Sequence, residues 1–340
     1  MKVLVIGGGS IGKRHLRNAL ALGAEVVGVV EVKPERRQEV EQIAGRSVAS
    51  GSIEEAVRRA RPDAAVIGTP TGHHRAAAEL LMARDIPFLI EKPLTRTLAE
   101  ARALLEQAGD RDLVVLVGYT YRFWPPLQRV KRLLDDGAVG DVLGVRIEFS
   151  EYLPDWHPWE DYRRWFMASA EQGGGALLDE SHTLDLLRWL CGEVQSVAAV
   201  VDTSGALEIT SDDRVALIAR MESGAVAEVH MDLLGRAPRK NLVVTGSTGT
   251  ILWDFHLNRV EVYEAEPGHW TVYPFKSDRN EMFMEELRHL FECIEGKADP
   301  RVPLLDGART MALIEAVRDA AARGVVVPVP EVAAAHAVTP

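Results

Sequence analysis

The chain is poor in cysteine, in aromatic residues and in basic charge, and it has no long apolar run. Its two cysteines, Cys191 and Cys293, lie far apart in apolar, helical contexts without metal-ligand spacing. Buried structural thiols are therefore expected, and no metal centre. Acidic residues outnumber basic ones by 50 to 39, a formal net charge of −11. That balance argues against nucleic acid or an anionic membrane as partner, since both need a basic face. No apolar run approaches the ~20 residues that span a bilayer. Met1 leads straight into an apolar strand, without the basic and apolar regions of a secretion signal, so a cytoplasmic protein is expected. Aromatics make up only 6% of the chain, which makes a local concentration of them informative. The remainder, 47% apolar and 26% charged over 340 residues, suits a globular protein of two domains.

The most informative residues come first. Met1-Lys-Val-Leu-Val-Ile-Gly7-Gly-Gly9-Ser10-Ile11-Gly12 is an apolar run entering Gly-x-Gly-x-x-Gly, followed by an Ala/Leu-rich stretch from Lys13 to Leu22. Strand, glycine turn and helix in that order form the context in which this motif binds a dinucleotide. Gly7 permits the turn, Gly9 lets backbone approach a pyrophosphate, and Gly12 lets helix and strand pack closely. The anion would sit at the helix N-terminus. The next strand, Val26–Val30, ends at Glu31, an acid placed to accept hydrogen bonds from a ribose and to repel a 2′-phosphate. NAD is favoured over NADP, although Lys33, Arg36 and Arg37 stand close by.

Apolar runs at Val3–Ile6, Val26–Val30, Ala64–Ile67, Pro87–Ile90 and Leu113–Val117 alternate with helical stretches such as Ser52–Ala60, His74–Ala83 and Leu98–Ala108. Runs of this kind predict an α/β fold with a doubly wound parallel sheet. After a helix at Leu127–Asp135, strand-like segments follow one another, interrupted by a helix near Ser181–Leu190 and closed by helices at Asn280–Glu295 and Asp306–Arg323. The expected organisation is a dinucleotide-binding domain over 1–120, an α+β domain with a large, mostly antiparallel open sheet over 121–330, and a mobile tail over 331–340. With few helices to cover that sheet, its open face predicts a homodimer or homotetramer.

Ligands of open α/β sheets bind beyond the carboxyl ends of the strands. Three segments fall there: Thr69-Pro70-Thr-Gly-His73-His74, Glu91-Lys92-Pro93, and Gly118-Tyr119-Thr-Tyr121-Arg122-Phe-Trp-Pro125. A fourth, Gly173-Gly-Gly175-Ala-Leu-Leu-Asp179-Glu-Ser-His182-Thr-Leu-Asp185, opens the second-domain helix. In this combination the chain resembles the Gfo/Idh/MocA oxidoreductases, through to Glu281-Met-Phe and Pro303-Leu-Leu-Asp306-Gly near its end. The resemblance implies a Rossmann domain and an open-sheet domain, with nicotinamide and substrate meeting in the cleft between them. It also implies a catalytic lysine at Lys92, a catalytic Asp179 and His182, and a cis peptide at Pro93. With the glycine loop, the expected cofactor contacts are Gly7, Gly9, Ser10, Ile11, Gly12, Glu31, Thr69, Pro70, His74, Glu91 and Lys92.

The chemistry agrees with those roles. Oxidising a secondary alcohol needs a base for the hydroxyl proton and a counter-charge for the developing anion. Neutral histidine suits the first near pH 7, and a lysine ammonium the second. Asp179 precedes His182 by three residues where many relatives have four, and both spacings share a helix face. Asp185, three residues after His182, competes for the same role. Each assignment has a plainer alternative. Lys92 could be a solvated lysine beside a turn proline, and His182 a capping or core residue. Arg122 either contacts substrate or pairs with an acid inside its domain. Of His73 and His74, one would line the cofactor channel and the other face solvent.

The stretch from Tyr152 to Trp165 holds five aromatics among prolines and polar groups. It reads as a substrate-recognition loop, with subunit packing as the alternative. Aromatic faces stack on pyranose rings, while Asp, His and Arg bond hydroxyls or a phosphate. It resembles a family subgroup found with bacterial surface-sugar biosynthesis. The expected substrate contacts are Tyr121, Arg122, Trp156, His157, Tyr162, Arg163, Asp179 and His182. The function expected is an NAD(H)-dependent oxidoreductase acting on a hydroxyl or keto carbon of a sugar, sugar derivative or cyclitol. The alternatives are an oxidoreductase that retains and recycles its cofactor, or a non-catalytic metabolite-sensing regulator. A regulator should have lost Lys92 or His182, and both are present.

Overall fold

A computed structural model of the chain describes residues 1–109 and 111–333; the expected tail, from residue 334 onward, lies outside the described residues. The described residues form two compact units. The first contains 1–120, 280–311 and 332–333, and the second contains 121–279 and 312–331.

The first unit is built from β1 (Lys2–Ile6), α1 (Ser10–Ala21), β2 (Glu25–Val30), α2 (Pro34–Ala44), β3 (Ala49–Ser50), α3 (Ile53–Ala60), β4 (Ala64–Ile67), α4 (His74–Met82), β5 (Phe88–Glu91), α5 (Leu98–Ala108) and β6 (Val115–Gly118). Its six strands are parallel, in the order β3-β2-β1-β4-β5-β6. Val3, Leu4 and Val5 of β1, all of β4 and Phe88–Ile90 of β5 are buried on both faces, which explains why these runs show no alternation. Ser52 and Thr97 cap α3 and α5 through their side-chain oxygens. Neither α2 nor β3 was expected. Among its residues α2 buries only Val40, so it carries no apolar stripe to mark it.

The second unit begins with α6 (Pro125–Asp135), β7 (Val142–Tyr152), α7 (Ala176–Asp179) and α8 (His182–Cys191). A run of strands follows: β8 (Val194–Asp202), β9 (Arg214–Met221), β10 (Val226–Asp232), β11 (Leu234–Gly246), β12 (Gly249–Asp254), β13 (Arg259–Glu264) and β14 (His269–Pro274). Helices α9 (Arg279–Ile294) and α10 (Leu304–Arg323) and the short β15 (Val327–Pro328) complete the chain. The nine strands are ordered β14-β13-β12-β11-β7-β10-β9-β8-β15. Strands β7 and β10 run parallel and the other neighbours antiparallel. One face lies under α7 and α8, which pack on β7, β9 and β10. Strand β9 shows the alternation this requires: Val215, Leu217, Ala219 and Met221 are buried, while Ile218 between them is 59% exposed.

The second stretch of chain is not the contiguous block expected, because α9 packs with the first unit. Its inward stripe of Met282, Phe283, Glu286, Leu287 and Leu290 is buried. Phe283 meets the His15 ring edge-on at 6.3 Å and lies under the Arg14 guanidinium. Asn280 and Asn18 exchange amide hydrogen bonds. Farther on, Val302 accepts a bond from the Val117 N–H of β6.

Inside the second unit a buried ion pair ties the turn at Thr120–Phe123 to α8. Arg122 donates from Nη2 to Asp185 Oδ1 at 2.7 Å and from Nε to Oδ2 at 3.0 Å. The two side chains are 6% and 1% exposed. Removing one partner strands the other charge away from water, at a cost of about 3–5 kcal/mol. Arg122→Ala is therefore expected to lower the unfolding free energy of the second unit by that order, read as a lower midpoint in urea denaturation. Arg122→Lys should recover only part of the loss, since a point charge cannot make both parallel bonds.

Candidate functional site

Between β1 and α1 the backbone makes the turn that the glycines allow. Gly7 has φ of +104°, and a Cβ there would stand 2.5 Å from the Gly68 carbonyl oxygen. A Cβ on Gly12 would collide with the Gly7 carbonyl oxygen. Gly9 is different: the nearest atom to a Cβ there is Arg36 Nη1 at 3.9 Å, so the loop is open on the side where a phosphate would approach. Gly9 is also the N-cap of α1 and supplies no capping side chain to the first-turn N–H groups. Ser10 is exposed and Ile11 half-buried beside them.

Glu31, at the end of β2, is buried and held in place. Its Oε2 accepts from the Gly8 N–H at 2.9 Å and its Oε1 from the Lys33 N–H at 2.8 Å. Each carboxylate oxygen keeps lone pairs for a further donor. After β4, Thr69 Oγ1 is buried without a hydrogen-bond partner among the described residues. An uncapped helix start, an open glycine and an orphaned hydroxyl, with an acid at the next strand end, fit the pyrophosphate and ribose of a dinucleotide.

Two expected cofactor contacts are turned inward instead. His74 is buried, with Nε2 2.9 Å from the Thr69 carbonyl oxygen and Nδ1 3.0 Å from that of Pro93. It clamps the loop after β4 to the loop after β5. Burial holds its pKa below the ordinary histidine range, so the ring is neutral and donates to one loop at a time. His73 faces solvent, as one of the pair was expected to do. Glu91 points its carboxylate into the unit, where Oε1 lies 2.7 Å from His15 Nε2. Its Oε2 accepts from the Lys92 N–H at 3.3 Å. Lys92 itself is half-buried at the carboxyl end of β5, and the peptide to Pro93 is cis, as the resemblance implied.

In the second unit His182 opens α8 and is half-buried among fully buried neighbours. The Tyr121 ring stands edge-on to the imidazole, 4.8 Å between centroids. Tyr121 in turn packs edge-on against Phe149, Trp253 and Phe255, and burial raises the pKa of its hydroxyl. Asp179 ends α7 and accepts from the Gly175 N–H at 3.3 Å. Asp185 has both carboxylate oxygens bonded to Arg122. The same pair shows Arg122 joined to an acid inside the unit, the second of the two readings its sequence position offered.

Sequence reasoning missed a cluster beside these residues. Lys240 of β11 is buried, with Nζ 2.9 Å from Glu151 and 3.6 Å from Glu180, and above the Phe149 ring. Burial works against its charge, yet Glu180, Tyr121 and Glu151 outweigh it and hold the pKa above the ordinary lysine range. The available signal was a lysine on an inward strand position. In the aromatic stretch, His157 lies edge-on between Trp159 and Trp165, and Trp159 is 75% exposed. Trp156 Nε1 is buried without a partner among the described residues. Arg163 is tied up with Asp161 and Glu208, and the Tyr162 hydroxyl accepts from the Glu208 N–H. Those last two therefore tie the loop to the segment at Glu208.

Hydrogen bonds to a charged acceptor contribute about 1.5–3 kcal/mol each. Glu31→Ala is accordingly expected to weaken NADH binding at least about tenfold and to narrow the preference over NADPH. Fluorescence titration of both nucleotides checks this.

The chain matches known proteins along most of its length. Residues 1–119 match the oxidoreductase family with an NAD-binding Rossmann fold, and residues 127–252 match the GFO/IDH/MocA C-terminal domain. It is 25% identical to levoglucosan dehydrogenase of Pseudarthrobacter phenanthrenivorans, over 98% of this chain and 99% of that protein. It is 24% identical to myo-inositol 2-dehydrogenase of Thermotoga maritima, over 92% of this chain and 94% of that protein. In fold it is similar to the solved structure of levoglucosan dehydrogenase in complex with NADH and levoglucosan. That match has a TM-score of 0.89 at 22% identity and covers 98% of this chain and 100% of that one. The chain belongs to the Gfo/Idh/MocA family of NAD-binding oxidoreductases.

Proposed function

We propose that the protein is an NAD-dependent dehydrogenase that acts on a hydroxyl or keto carbon of a sugar, a sugar derivative or a cyclitol. The observation that carries this reading is Lys92 just beyond the carboxyl end of β5, next to β4, whose following loop begins with Gly68 and Thr69. The relatives named above, which act on an anhydrosugar and an inositol by their names, support the substrate class. Bound NAD supplies the hydride-accepting carbon. The chain supplies the rest. The Lys92 ammonium stabilises negative charge on the substrate oxygen, and the His182 imidazole, steadied by Tyr121, takes the hydroxyl proton. Asp179 stabilises the protonated ring. Trp156 and His157 present aromatic faces to the sugar.

Proton transfer by a positioned side chain is worth about 10²–10⁴-fold in rate, and charge stabilisation by a positioned donor about 10²–10³-fold. Lys92→Ala and His182→Ala should each lower kcat by that order, while NADH binding by fluorescence stays near the wild-type value. The assay is NADH absorbance with a panel of free sugars, inositols and nucleotide sugars. Wild-type protein that binds NADH and turns over none of them would sink the dehydrogenase reading.

The protein works in the cytoplasm in this reading, in keeping with its charge and its separate thiols; among the described residues no helix is long and apolar enough to cross a membrane. The uncovered face of the large sheet carries Val200, 60% exposed, and Ile218 on adjoining strands. We assign that face to a second copy of the chain. Val200→Asp with Ile218→Asp should shift the species seen by light scattering toward monomer; an unchanged mass would remove the face from consideration.

A further inference from the structure

The interior of the first unit contains a polar trio that the proposed chemistry does not use directly. Glu286 of α9 is fully buried, and neither of its carboxylate oxygens has a hydrogen-bond partner among the described residues. Nδ1 of His15, also fully buried, lacks one too. One ligand atom from each of His15, Glu91 and Glu286 lies within 4.8 Å of the others. The trio thus joins α1, the end of β5 and α9.

A divalent cation is a poor occupant. Held at about 2.1 Å from a histidine nitrogen and a carboxylate oxygen, it would keep those two atoms roughly 3 Å apart or more. His15 Nε2 and Glu91 Oε1 are at 2.7 Å, a direct hydrogen bond that leaves no room for an ion between them. A proton suits the site better. Burial, and the Glu91 charge beside it, raise the Glu286 pKa well above the carboxylate range. The trio then carries at most one carboxylate charge, on Glu91, and that charge faces His15.

We propose that His15, Glu91 and Glu286 form a positioning unit for Lys92. His15 and the neutral Glu286 enclose the Glu91 carboxylate, and Glu91 holds the Lys92 peptide N–H. His15 sits on α1 three residues beyond Gly12, so the unit ties the Lys92 segment to the helix that carries the glycine loop. Well-packed apolar residues often replace a buried polar cluster of this kind at no loss of stability. What they cannot do is fix a main-chain N–H by a charged acceptor. The inference rests on the reading of Lys92 as the group that stabilises charge on the substrate.

The test is a double-mutant cycle on the wild-type enzyme's substrate, read as kcat and as NADH Kd. An error of about 1 Å in a reacting group costs about a hundredfold in rate. His15→Leu and Glu286→Leu are expected to lower kcat ten- to a hundredfold while moving the NADH Kd less than about threefold. Glu286→Gln, close in shape to the neutral acid, should recover most of that loss. In a Lys92→Ala background the His15→Leu penalty should vanish, since there is no ammonium left to place. A penalty of equal size with and without Lys92, or a Kd that worsens in step with kcat, would overturn the proposal and leave the trio a packing feature. Full kcat in both leucine variants would overturn it alone, whereas full kcat in Lys92→Ala would overturn the reading of Lys92 itself. Should the leucine variants not fold, Glu91→Gln keeps the shape, removes the charge and supports the same comparison.

Discussion

Main chain pressed against main chain at the start of α1 is the contact on which the first unit depends. Gly12 lies so close to the Gly7 carbonyl, and Gly7 to Gly68, that neither position admits a Cβ. That approach seats the positive end of α1 over the carboxyl ends of β1 and β4 and leaves Gly9 facing open space. Glu31 then fastens the loop from the next strand by accepting the Gly8 N–H. The requirement is steric before it is electrostatic. The anion-binding geometry follows from the absence of side chains, and only the ribose end is set by a charged one.

Elsewhere the chain places charge where apolar packing would be easier. Arg122–Asp185 and Lys240–Glu151–Glu180 in the second unit, and His15–Glu91–Glu286 in the first, are all largely withdrawn from water. Ion pairs in such places add little net stability over apolar substitutes. Their effect is directional. Arg122 fixes α8 through two parallel bonds, which sets the helix that begins with His182, while Tyr121 next to it holds the imidazole by ring contact. Lys92 and His182 are therefore half-buried side chains mounted on buried polar supports, and Asp179 is itself buried.

The parts of this arrangement legible in the sequence are those set by neighbours along the chain. The glycine loop, the unbroken apolar run at Ala64–Ile67 and the capped helix at Leu98–Ala108 were all readable because their causes are local. Helix α2 was not, because its charged surface leaves only Val40 inside. Strand β11 extends back across Arg236–Lys240, a basic stretch that reads as a loop until its pairing with β7 is known. Arg122 and Asp185 stand 63 residues apart, and no spacing rule joins them. Glu286 did leave a trace: an acid on the inward stripe of α9, between Met282 and Leu290. A charged residue in an apolar stripe departs from the pattern, and here it marks a buried polar support.

The interleaving of the two units also shapes how the protein is born. Translation delivers β1 to β6 first, yet α9, which covers the base of α1 with Phe283 and brings Glu286 to Glu91, is made only after the whole run through β14. At about 5–20 residues per second the ribosome needs on the order of ten seconds or more to reach it. During that interval His15 and Glu91 form part of an unfinished core with an apolar flank uncovered. The nascent chain must hold a nearly complete nucleotide fold, and keep it from wrong partners, until α9 and the segment after it emerge.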